Sequence, residues 1–176
     1  NSVSMPDANT IAVGAPTELG TPTAGSVKVF TWSGSAWVQK GSTINGEAIG
    51  DRFGWKVSMP DANTIAVGGI TNSGVAQYAG HARIFSWNGT AWVQKGADID
   101  GINLYDFFGA SISMPDANTV AIGSQNYSTT GIDAAGQVRI YTWSGSAWVQ
   151  KGISIFLRVT TSIVGAACDL QRFLFC

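Results

Sequence analysis

SMPDANT occupies residues 4–10, 58–64 and 113–119, three identical heptapeptides whose starts lie 54 and 55 residues apart. A second string, AWVQKG, begins at Ala36, Ala91 and Ala147, with spacings of 55 and 56. Between them SVKVFTWSGS (26–35), HARIFSWNGT (81–90) and QVRIYTWSGS (137–146) align without gaps. A period near 55 makes the chain a repeat array. In such arrays one supersecondary unit cannot bury its hydrophobic face alone, so neighbours stack.

Each unit reads as four short strands. FGWKVSM (53–59) alternates into the first. In PDAN, Pro60 presets the turn φ, Asp61 and Asn63 fold onto nearby backbone, and the proline holds Met59 extended. TIAVGG (64–69) is the second strand, HARIFSW (81–87) the third and TAWVQKG the fourth, with Asn88-Gly89 as a tight hairpin turn. No repeat has helical period. The sequence therefore predicts an all-β, propeller-like fold of three four-stranded antiparallel blades, at about 1–41, 42–96 and 97–152, forming a partial or oligomer-completed propeller. Ile65 and Val67, with Ile11, Val13, Val120 and Ile122 at equivalent places, are expected to face adjacent blades.

Composition narrows the function. Charged residues make up 12% of the chain and glycines number 22, the mixture of a turn-rich β protein. With a net charge of −1 there is no basic field to hold a phosphate backbone, so nucleic acid is not an expected partner. No apolar run is long enough to span a bilayer as a helix. The opening NSVSMPD lacks the basic and apolar regions of a signal peptide, and it begins inside a repeat. Cys168 and Cys176 lie in the tail, so the repeats need no thiol chemistry.

Phe53-Gly54, followed by Ile65-Ala66-Val67-Gly68, resembles the FG-GAP repeat, as do Gly14-Ala15-Pro16 in the first copy and Phe108-Gly109 in the third. The resemblance covers residues 1–152 and implies the propeller of integrin α subunits and of bacterial and algal surface proteins. It also implies an extracellular or cell-surface location. Copies two and three depart from the pattern, with GGI and GSQ where GAP would stand. The acidic loop of calcium-binding members is replaced here by MPDAN. A single carboxylate from Asp7, Asp61 or Asp116 cannot supply the six to eight oxygens that calcium takes, so no metal is expected. Asp98, Asp100 and Asp106 form a second candidate calcium set; Thr43, Asn45 and Asp51 stand at their places in copy one, and the spacing is not that of an EF-hand.

Catalytic residues and cofactors are not expected. His81 is the sole histidine, replaced by Ser26 and Gln137 in the other copies, and reads as an exposed strand residue. No nucleophile elbow, zinc-protease or phosphate-loop motif occurs. The tryptophan pairs Trp32/Trp37, Trp87/Trp92 and Trp143/Trp148 are candidate ligand platforms that would stack on sugar rings, and equally candidates for cross-strand and blade-to-blade packing. Asn88 and Asn126 head N-glycosylation triplets. Loops 17–25, 69–80 and 124–136 differ while their flanks do not, which marks one face as free to bind.

After Gly152 the repeat stops, and residues 153–176 form a divergent tail. Codons for Arg158 to Ser162, read one frame over, encode Gly-Asp-Asn-Phe, close to Gly50-Asp51-Arg52-Phe53, so a fourth blade read out of frame is one origin and a genuine tail the other. The expected function is a non-enzymatic interaction or adhesion module for a protein or glycan ligand, with self-association or further blades completing the ring. The rivals are a lectin propeller and a structural subunit of a larger extracellular assembly.

Overall fold

The computed structural model describes residues 2–16, 23–126 and 136–156. Sheet 1 comprises β1 (Ser2–Asp7), β2 (Thr10–Ala15), β3 (Ser26–Trp32), β4 (Trp37–Gln39) and β5 (Ile44–Asn45). Sheet 2 comprises β6 (Phe53–Asp61), β7 (Thr64–Gly69), β8 (His81–Trp87), β9 (Trp92–Gln94) and β10 (Ile99–Asp100). Sheet 3 comprises β11 (Ser111–Asp116), β12 (Thr119–Ser124), β13 (Gln137–Trp143), β14 (Trp148–Gln150) and β15 (Ile155–Phe156). Strand pairing is antiparallel throughout the three sheets, and no helix occurs among the described residues. The tail from 157 and the loop segments 17–22 and 127–135 lie outside the described residues.

The SMPDANT heptapeptide is a strand end, a bulge and a turn. In all three first hairpins the register shifts between the serine and the aspartate, which places Met-Pro in a β-bulge. A bulge is where a strand tolerates a residue with no N–H to give the ladder. The aspartate Oδ1 then accepts the N–H of the following asparagine at 2.7 Å in each copy, closing the turn.

Two local expectations change. The fourth strand is broken: Gly41, Gly96 and Gly152, all at positive φ, turn the chain after AWVQK, and a two-residue strand rejoins the same edge. The second hairpin is a four-residue loop rather than a two-residue Asn-Gly turn, because Trp87 pairs with Trp92. Asn88 Oδ1 holds that loop by accepting from Thr90 and Ala91 N–H, as Ser33 and Ser144 Oγ do from Ala36 and Ala147.

The sheets stack face to face in a blade-like series. Val57, Met59, Ile65 and Val67 of sheet 2 join Ala12, Val27, Val29 and Ile44 of sheet 1 in one core, with Phe53 at its centre. Ala66, Ala82, Ile84 and Ile99 meet Ile112, Met114, Val120 and Ile122 of sheet 3 in the second, around Phe108. Sheet 2 is thus covered on both faces, and β7 is buried along its whole length. The same position buries His81 completely, at 0% exposure, which corrects its reading as an exposed strand residue. Ile11 and Val13 also differ from expectation: they lie on the far face of sheet 1, half-buried, where no described sheet packs.

Both sheet junctions use one contact set. Lys40 Nζ of AWVQKG donates to Ala62 O and Asn63 Oδ1 in the next copy's SMPDANT turn, both at 2.7 Å. It also sits 5.2 and 5.4 Å from the ring centroids of Trp87 and Trp92. Trp92 Nε1 returns a hydrogen bond to Lys40 O at 2.9 Å. Lys95 repeats this with Ala117 O, Asn118 Oδ1, Trp143 and Trp148. Burial lowers the pKa of both lysines, opposed mainly by Asp61. Deeper in each junction, Ser4 Oγ accepts the Met59 N–H and Ser58 Oγ the Met114 N–H, each at 3.0 Å.

Candidate functional site

The antiparallel order places the 46–52, 70–80 and 101–107 connections at one end of the sheets, and the SMPDANT turns and tryptophan hairpins at the other. At the loop end a groove of about 960 Å³ runs between these connections. Its aromatic wall is Tyr78, Tyr105 and Phe107. The Tyr78 and Phe107 rings lie within 14° of parallel, and Tyr105 stands 5.5 Å from Tyr78, centroid to centroid. Arg52, Thr71 and Asn72 line the polar side.

Backbone conformation sets this wall. The four non-glycine residues with positive φ among the described residues are Arg52, Tyr78, Tyr105 and Phe107, and all four line the groove. For Arg52 and Phe107 the cause is the fold, because both precede the Phe-Gly pair. There the aspartate one residue earlier, Asp51 or Asp106, is buried and caps the connection. Asp51 Oδ2 accepts from Glu47 and Ala48 N–H, and Asp106 Oδ2 from Ile102 and Asn103 N–H. Tyr105 is a different case. The second copy has Gly50 at the equivalent place, with φ of 94°, whereas Tyr105 takes φ of 60° at a cost that glycine avoids. The ring is held there by hydrogen bonds from Tyr105 Oη to Gln77 Oε1 (3.2 Å) and from Tyr105 N–H to Gln77 O (3.0 Å). Non-glycine residues forced into this region cluster at ligand-binding sites.

Beside the groove, Glu47, His81 and Asp98 bring ligand-type atoms within 4.8 Å of one another. His81 Nδ1 lies 3.5 Å from Asp98 Oδ2 and 3.9 Å from Glu47 Oε2, while Arg83 faces the other oxygen of each carboxylate at 3.5 and 3.7 Å. Arg83 therefore supplies the fixed positive charge of a four-residue polar cluster. In sheet 3 the same slot holds a neutral pair, Gln137 Nε2 donating to Ser154 Oγ at 2.8 Å. Asp98, Asp100 and Asp106 do not converge on one another among the described residues.

The His81 imidazole holds the Asp98 carboxyl below its ordinary range, helped by Gln94 and Arg83 and opposed by burial. A carboxylate with a depressed folded pKa contributes stability above its unfolded value, near 4, and loses it as pH falls through the folded one. Asp98→Asn is therefore expected to lower stability at pH 7, by about 1 kcal/mol once solvent screening of a partly exposed pair is allowed for. The wild-type and variant urea curves should converge as pH falls through the depressed folded-state value. A gap that persists at low pH would show that packing, rather than charge, is lost.

The six paired tryptophans fall at the end opposite the groove. Each pair is cross-strand, with ring centroids 5.4–5.6 Å apart. Trp87, Trp92, Trp143 and Trp148 carry the lysine contacts described above and are half-buried, whereas Trp32 and Trp37 are 41% and 43% exposed. Asn88 and Asn126 are exposed, Asn88 with its side-chain oxygen engaged in its own turn. Sequence reasoning reached the loop face but missed the aromatic wall. The signal for Tyr105 was an aromatic standing where another copy has a turn glycine. At the place of Tyr78, two residues before the glycine that precedes the third strand, the other copies have Thr23 and Ala134. The chain was compared with protein-family models and with curated proteins, and it matches none of them.

Proposed function

We propose that the protein is a non-enzymatic interaction module built on FG-GAP-type blades, working at the cell surface or outside the cell. The groove at the loop end receives an extended protein or glycan ligand. The observation that carries this is the aromatic wall, above all Tyr105, an exposed ring kept in a backbone region that its glycine counterpart occupies more cheaply. Support for the FG-GAP relationship comes from a contact that gives its two motifs one purpose. Gly54 and Gly109 of the Phe-Gly pairs lie against Gly14 and Gly68, near the end of the second strand of the preceding copy. A lectin acting through its tryptophans is less well supported, because Lys40 and Lys95 already lie over two of the three pairs.

Tyr105→Gly tests the reading. The variant removes the ring and relieves the backbone, so its melting temperature should stay at or above the wild-type value. On arrays of immobilised glycans and of random peptides, wild type should bind and Tyr105→Gly should lose about tenfold or more, the effect of removing a central aromatic contact. Equal binding by both proteins, or no wild-type binding on either array, would sink the proposal. A structural subunit is the second reading, and the exposed outer faces of sheets 1 and 3 favour it.

A further inference from the structure

The two internal junctions form a template whose halves recur, uncovered among the described residues, at the ends of the series. The first half is the face of sheet 2 that meets sheet 1, with Val57, Met59, Ile65 and Val67, and its sheet 3 equivalents Ile112, Met114, Val120 and Ile122. All eight are buried. In sheet 1 the equivalent residues are Val3, Met5, Ile11 and Val13, and Val3 is 62% and Met5 53% exposed. The opposite half is Ala12, Val27, Val29 and Ile44, with Ala66, Ala82, Ile84 and Ile99, again all buried. In sheet 3 it becomes Ala121, Val138, Ile140 and Ile155, half-buried or exposed.

The polar contacts are split in the same way. Sheet 1 carries the acceptor side of a lysine contact, the Ala8-Asn9 turn and the exposed Trp32/Trp37 pair. Sheet 3 carries the donor side, the exposed Lys151. We infer that the protein associates head to tail. The outer face of sheet 3 in one copy seats on the outer face of sheet 1 in a second copy, with Lys151 Nζ reaching the Ala8-Asn9 turn and lying over Trp32 and Trp37. The occupant is a second copy because each end face is one half of an interface this chain makes twice within itself. Like faces do not fit: two sheet 3 faces would bring Lys151 against Lys151. Such a contact is heterologous, so it extends into rows or closes into rings instead of stopping at a symmetric dimer. This inference uses surfaces distinct from the groove and does not depend on it.

Blocking one end at a time tests it. Val3→Asp/Met5→Asp closes the sheet 1 end, and Lys151→Glu/Ile155→Asp the sheet 3 end; apart from Lys151, which makes no internal junction contact, these are exposed apolar positions. By light scattering, wild-type mass should climb with concentration between about 10 μM and about 1 mM, the range of weak association. Each blocked variant alone should stay monomeric, and an equimolar mixture should form dimers and nothing larger. A wild type that stays monomeric over this range overturns the inference, as does a blocked variant that pairs with itself or a mixture that fails to pair. If the sheet 1 variant does not fold, Trp37→Ala closes the same end.

Discussion

Phe53→Ala should lose about 3–5 kcal/mol of stability, among the largest effects of any single substitution in the protein. Phe53 is wholly buried and lies where sheets 1 and 2 meet. Its backbone makes an isolated parallel bridge to Gly25 of the preceding copy, with its N–H on Ala24 O at 2.9 Å. Its ring packs edge-on against Phe85 at 6.2 Å and His81 at 6.1 Å, and the Arg83 guanidinium lies 5.5 Å from its centroid. Removing the ring leaves a void bounded by two separate sheets and the buried His81 ring, which cannot collapse without parting the sheets. Urea unfolding checks the loss, with Val3→Ala as the control; at an exposed face that change should stay within about 0.5 kcal/mol. A Phe53→Ala midpoint close to wild type would mean that the sheets hold together through their edges and that the core contributes little.

The second large effect needs only one methyl group. Gly68→Ala would put a Cβ 2.2 Å from Gly109 O, on backbone that belongs to the neighbouring sheet. Gly14→Ala meets Gly54 O at the same distance. No flexible side chain stands there to move aside, so the sheets must separate or the strand must shift register. Overpacking of this kind costs about 1–3 kcal/mol and sometimes more, and backbone-to-backbone contact belongs at the upper end. Gly145→Ala is the comparison: its φ of 102° strains alanine, which is not so at Gly68, yet nothing lies within 4 Å of the added atom. Thermal melts should rank Gly68→Ala well below Gly145→Ala. If Gly68→Ala costs no more than Gly145→Ala, the neighbouring sheet yields to the added methyl and the close approach of the two backbones does not set the cost.

Much of the fold was legible because the copies repeat. Three alignable units gave the period, the strand order and the alternation of Ile65, Ala66 and Val67, and the structure places those side chains on opposite faces of sheet 2. What could not be read was which face each end unit would leave uncovered. Identical residues have different surroundings in different copies, as Met5 is exposed and Met59 buried. His81 was misread for the same reason: a single strand pattern does not reveal that its sheet has neighbours on both sides. The break in the fourth strand follows from a glycine at positive φ, and sequence alone did not separate it from an ordinary strand end. The groove was legible only as a face. Its aromatic wall is assembled from residues 78, 105 and 107, which no motif joins and which come together because two connections cross at one end of the stack.

The lysine contact has a bearing on how such a chain can change over generations. Lys40 and the asparagine that receives it, Asn63, belong to different copies, so neither repeat owns the interaction. A substitution in one unit is judged by the unit after it. Copies remain interchangeable only while every one keeps both the plug and the socket, which gives a physical reason for SMPDANT and AWVQKG to stay letter-identical while the groove loops drift. Units can then be duplicated or deleted whole, and each newcomer fits its neighbours on arrival.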